Sequence, residues 1–128
     1  MPSVAMPSAL SPSDRQPELD DLRALLVEQR SFRLEQLRQL ARLRIRAVDH
    51  TIEPLDSSAD SARVEVSEAV AAAARQALDD IEAALDRMDA GRYGHCTGCD
   101  GAILWERLEA IPQAPLCMRC QRREEHRR

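Results

Sequence analysis

Four residues of this chain combine type and spacing that can do chemistry. They stand as Cys96-Thr97-Gly98-Cys99 and Cys117-Met118-Arg119-Cys120, with seventeen residues between the pairs. Two residues between cysteines let both sulfurs of a pair turn toward one point. Two such pairs supply the four thiolates of a closed tetrahedral zinc site. The stretch from Gly91 to Gln121 holds about thirty residues, too few to bury a stable core unaided. A structural zinc contributes roughly 10–16 kcal/mol of apparent binding energy, enough to hold such a module folded. The expected cofactor is one structural zinc on Cys96, Cys99, Cys117 and Cys120. Iron is the alternative that spacing alone does not exclude.

Other uses of these thiols fit the sequence less well. Disulfides need an oxidising compartment. The start, Met1-Pro2-Ser3-Val4-Ala5-Met6-Pro7, has no basic residue and no unbroken apolar stretch, so it does not read as a signal peptide. A redox Cys-x-x-Cys pair stands alone beside a βαβ pattern, whereas two pairs occur here and no such pattern does. Four thiolates fill the site, so His95 is expected at the surface rather than on the metal. An enzyme is not expected either, because a four-thiolate zinc offers no open coordination position. The sequence shows no Ser-His-Asp set and no phosphate loop.

The elements that must carry this module are helical. Alanine, leucine, arginine and acidic residues dominate the 128 residues, and Phe, Tyr and Trp occur once each. That is the composition of long helices. No run of about eighteen apolar residues occurs, so a membrane span is not expected and the expected compartment is the cytoplasm. All eighteen basic residues are Arg, which reads as coding bias. The net charge of −4 is unevenly spread: six acids and one Arg between Asp49 and Glu68, five Arg and two Glu between Cys117 and Arg128.

Residues 1–17 carry four Pro and four Ser and are expected to be a disordered tail. A first helix is predicted from Glu18 to about Val48, with Leu19, Leu22, Leu26, Leu34, Leu37, Leu40, Ala41, Leu43, Ala47 and Val48 as its apolar stripe. Pro54 breaks it. Asp56, Ser57 and Ser58 are N-cap candidates for a second helix. There Val64, Ser67, Ala71, Ala74, Leu78, Ile81, Leu85 and Met88 alternate spacings of three and four, a heptad seam closed by Gly91. The predicted fold is therefore mostly α. It is a long antiparallel two-helix coiled-coil hairpin over 18–90 with its tip near 49–60, then a small four-cysteine zinc-finger module and short C-terminal helix over 91–128. At ~1.5 Å per residue each arm would be on the order of 45 Å long. A larger bundle or a dimer is the competing arrangement.

One combination of residues is highly specific. The run Ala90-Gly91-Arg92-Tyr93-Gly94-His95-Cys96-Thr97-Gly98-Cys99, then Ile103, Arg107-Leu108-Glu109-Ala110-Ile111-Pro112 and Leu116-Cys117-Met118-Arg119-Cys120-Gln121, resembles the DksA/TraR family of zinc-finger proteins. Glycines at 91, 94 and 98 suit the turns around the first pair. Tyr93, Ile103, Trp105 and Leu108 can make a small apolar core beside the metal. Arg92, Arg107 and Arg119 are placed either to offset the thiolate charge or to face solvent.

The resemblance implies an action on RNA polymerase. Family members insert the hairpin into the secondary channel of the bacterial enzyme and modulate initiation without reading a promoter. The best-known members carry Asp-x-x-Asp-x-Ala at the tip. A gapless count from Cys96 puts Glu53-Pro54-Leu55-Asp56-Ser57-Ser58 there; a shifted one uses Asp60-Ser61-Ala62, with Ser57 in the first acidic place. The expected polymerase-contacting tip residues are thus Glu53, Asp56 and Asp60. Some relatives bind the alarmone ppGpp with basic side chains where this chain has Ala73, Ala77, Asp80 and Gln121, so a ppGpp site of that kind is not expected. A zinc-ribbon nucleic-acid binder using Arg119, Arg122, Arg123, Arg127 and Arg128, or a coiled-coil adaptor, is the alternative function.

Overall fold

The computed structural model describes residues 15–50 and 58–127, and side chains within these except those of 46–50 and 58–61. The order is α1 (Gln16–His50), α2 (Ser58–Asp89), α3 (Trp105–Ala110) and α4 (Met118–Arg127). Two long helices pair and the zinc-finger module follows them, as the sequence pattern predicts. The expected tail falls mostly on residues 1–14, outside the described residues, and so do Glu53 and Asp56 of the expected tip. α1 starts two residues before Glu18. Pro17 is accommodated there because the first turn of a helix has backbone N–H groups with no helical partner to lose.

The chain divides into two compact units, one of residues up to Glu28 with those from Asp80 onward, the other Gln29–Asp79. In the first, Leu26 packs on Ile81, Ala84 and Leu85, while Leu22 and Leu19 pack with Met88. Earlier residues of α1 meet later residues of α2, which is antiparallel pairing. Leu26 and Ile81 are 0% and 1% exposed, so each contributes about 1.5–3 kcal/mol of transfer free energy. Arg23 adds an ion pair to Asp89 at 2.9 Å. The end of α2 is a Schellman turn. Gly91 at φ +71° donates to the Met88 carbonyl at 3.1 Å, and Arg92 donates to that of Arg87 at 2.8 Å. That turn sends the chain from the helix into the cysteine module.

In the second unit the same two helices pair less deeply than the seam predicts. Ala74 is fully buried, and Leu34, Leu37 and Leu40 are half-buried. Val64 and Ser67 of the seam are exposed, however, as are Ala41 and Leu43 of α1. Ser67, Ala71 and Ala74 offer little apolar area to bury, so this part of the seam has little to draw the helices' side chains together. Ion pairs occupy the surface: Glu35 with Arg38 and Arg42, and Arg44 with Glu68.

Candidate metal centre

The cysteine module folds around a few backbone bonds rather than a sheet. His95 and Ala102 form an isolated antiparallel bridge. Ile103 donates to the Gly94 carbonyl at 2.8 Å and Cys96 to that of Gly101 at 2.7 Å, so 94–103 closes as a tight loop. Asp100 takes the left-handed conformation at φ +62° within it, a region that Asp tolerates better than most residues. This loop presents Cys96 and Cys99. α4 begins at Met118, directly after Cys117, and presents Cys120 one turn on.

The two halves are brought together by a strap of carbonyls that the sequence reading did not find. Four residues before Cys117 each have their carbonyl oxygen taken by a donor from elsewhere. The Tyr93 hydroxyl donates to Pro112 at 2.8 Å, and Arg87 to Gln113 at 3.3 Å. Thr97 donates to Pro115 through its backbone N–H at 2.9 Å and its hydroxyl at 3.2 Å. Arg107 donates from Nε to Leu116 at 3.0 Å and also reaches the Met118 sulfur. Arg107 is thus a clamp on the approach to Cys117, a more specific role than the two expected for it. The only signal in the sequence was the run of proline-interrupted residues after α3, whose carbonyls had to be satisfied somewhere. Below the strap, Tyr93, Ile103 and Leu108 are buried with Cys96, and Trp105 packs half-buried beside them under the Arg15 guanidinium, 4.6 Å from the ring centroid. That is the predicted miniature core, with a cation–π contact added at its edge.

The four sulfurs converge as the spacing requires. They all lie within 4.8 Å of one another, and Cys99 and Cys117 are 3.9 Å apart. A tetrahedral ion with Zn–S near 2.3 Å places its sulfurs about 3.8 Å apart, so the set fits a single zinc and is too open for a disulfide. Backbone N–H groups point at the sulfurs. Gly98 and Cys117 each donate to Cys96 at 3.3 Å, and Cys120 donates to Cys117 at 3.5 Å. Gly98 has no room for a side chain, since a Cβ there would sit 3.2 Å from the Cys120 sulfur and 3.3 Å from Leu116.

The environment divides the thiols unequally. Burial pushes Cys96 up, but the N–H groups of Cys117, Cys99 and Gly98 stabilise its thiolate more and hold it at about 6. Cys120 is pushed up to about 12, first by the neighbouring sulfurs of Cys96 and Cys117 and then by burial. The Cys120 N–H lowers Cys117. One sulfur is therefore poised as a thiolate, and metal binding drives the remaining protons off. His95 is exposed and outside the cluster.

The comparisons with known proteins agree with this geometry. Residues 91–126 match the model of the prokaryotic dksA/traR C4-type zinc finger. The solved structure of transcription factor DksA2 from Pseudomonas aeruginosa is similar over 84% of this chain and 83% of that one, with 26% sequence identity and a TM-score of 0.70. A search among curated protein sequences gives no match. One structural zinc is thus the metal that both the donor set and the family support. Residues 91–126 thus carry a dksA/traR-type C4 zinc finger, and the chain is similar over 84% of its length to the transcription factor DksA2.

Proposed function

We propose that this chain is a transcription regulator that binds RNA polymerase, inserts its helical hairpin into the secondary channel and modulates initiation there. The observation that carries the reading is the joining of two paired long helices, in a fold similar to that of the transcription factor DksA2, to a finger of the dksA/traR C4 type. Cys96, Cys99, Cys117 and Cys120 are the zinc ligands in this reading, and the metal is structural: it holds the base of the hairpin and takes part in no reaction.

The acidic balance between Asp49 and Glu68 supports a tip placed near catalytic magnesium and basic polymerase loops. Glu53, Asp56 and Asp60 are the side chains proposed to act there. None of Ala73, Ala77, Asp80 and Gln121 is basic, so the proposal includes no ppGpp site of the relatives' kind. In the described residues no helix is long and apolar enough to cross a membrane.

The test is promoter-driven transcription by bacterial RNA polymerase with the zinc-loaded chain and its E53A/D56A/D60A variant. Wild-type chain is expected to change the yield of initiated transcripts, and the variant to lose that effect while still binding the enzyme. A variant as active as wild type would overturn the tip assignment, and a wild-type chain without effect would overturn the regulatory reading.

A further inference from the structure

The last turn of α4 carries His126 and Arg127, as helix stability asks, but its first turn lacks the acids that would suit it. Cations are favourable at a helix C-terminus and acids at its N-terminus. α4 has no acid in its first turn and carries Arg119, Arg122 and Arg123 within its first six residues, ahead of Glu124 and Glu125. Those three arginines and His126 fall within an arc of about 100° at 3.6 residues per turn, on a different face from the buried Cys120. Arg127 flanks the arc.

These cations are also uncompensated. Arg23, Arg38, Arg42 and Arg44 each hold an acidic partner. Arg119, Arg122, Arg123 and Arg127 are exposed, and none has an acidic partner among the described residues. Arg119 stands between Cys117 and Cys120 in sequence, whereas Arg122 and Arg123 lie beyond the last cysteine.

We propose that this face binds the phosphate backbone of duplex DNA without reading its sequence. Guanidinium groups match phosphate oxygens in a bidentate fork, and several along one helix face make the footprint of a backbone contact. A single strand is the poorer ligand, since unpaired bases need aromatic platforms. In this unit Tyr93 is buried and Trp105 is half-buried beneath Arg15. The net charge of −4 keeps the affinity low and strongly salt-dependent. The proposal is independent of the polymerase reading and would add a second, electrostatic contact at a promoter.

The experiment is fluorescence anisotropy of a labelled duplex of arbitrary sequence with the full zinc-loaded chain. With four phosphate contacts, affinity should fall roughly 150-fold between about 50 and 200 mM salt. R122E/R123E should weaken binding by at least about tenfold and flatten the salt slope by about two, with zinc content and thermal unfolding unchanged. R30E/R75E makes the same change in net charge in the other unit and should leave affinity within about twofold. No duplex binding at low salt would overturn the proposal. So would an unchanged R122E/R123E variant, tighter binding to a single strand, or polyglutamate competing as well as unlabelled duplex, which would point to an acidic protein surface instead.

Discussion

Replacing Tyr93 with Phe removes a single oxygen and isolates the strap that delivers Cys117. The Tyr93 ring is 4% exposed, and its hydroxyl donates to the buried Pro112 carbonyl at 2.8 Å. The ring stays in Y93F, so apolar burial hardly changes. What is lost is a hydrogen bond worth about 0.5–1.5 kcal/mol net, with a buried carbonyl left unpaired at a cost of about 1–3 kcal/mol. The expected destabilisation is therefore about 1–3 kcal/mol, or roughly 5- to 150-fold in the folding constant. Because zinc binding and folding of the module are linked, the same loss should appear in zinc affinity against a competing chelator.

A second readout uses the fact that Tyr93 is the only tyrosine. Burial pushes its hydroxyl up to about 12, with Arg87 opposing, whereas an unfolded chain ionises near 10. Between pH 10 and 12 the unfolded chain has lost a proton that the folded chain keeps. Stability is then fully present below about pH 10 and lost as pH rises toward 12, by about 2 kcal/mol. Ultraviolet difference titration should place the midpoint near 12 in the zinc-loaded protein, and Y93F should lack this pH loss. Equal stability, equal zinc affinity and a tyrosine titrating near 10 would together refute the strap as a structural device.

Other substitutions probe the remaining levels of the structure. I81A, at a side chain 1% exposed, should cost about 2–5 kcal/mol in denaturant unfolding, whereas V66A, at one 62% exposed, should stay within about 0.5 kcal/mol. G98A forces the Cys120 sulfur or Leu116 to move by a few tenths of an ångström, and should weaken zinc binding in chelator competition while leaving the helical circular dichroism nearly unchanged. Stripping zinc should release the packing around Trp105, the only tryptophan, giving a fluorescence shift that is reversed on adding one equivalent of metal.

The sequence revealed most where chemistry demands fixed spacing. Two Cys-x-x-Cys pairs can converge on one ion in few ways, and their sulfurs do converge. Gly91 was legible as a helix end because a left-handed residue is needed there, and it closes a Schellman turn. The strap was not legible, since Arg87 and Gln113 are twenty-six residues apart and a backbone acceptor leaves no mark on residue type. Periodicity likewise identified which face of α2 turns inward but not how deeply. Ala74 and Ile81 are buried, while Val64 on the same seam is 40% exposed, since the small residues Ser67 and Ala71 beside it add little area to bury. The expected tip residues Glu53 and Asp56 lie outside the described residues.

The central claim is the docking of this chain on RNA polymerase. Equilibrium binding of the zinc-loaded chain to core enzyme, with and without an established secondary-channel factor, tests it most directly. Saturable binding that the competing factor displaces is the predicted result. Binding that persists undiminished at saturating competitor, or none at micromolar concentrations, would contradict the claim and leave a zinc-held helical hairpin with a different partner.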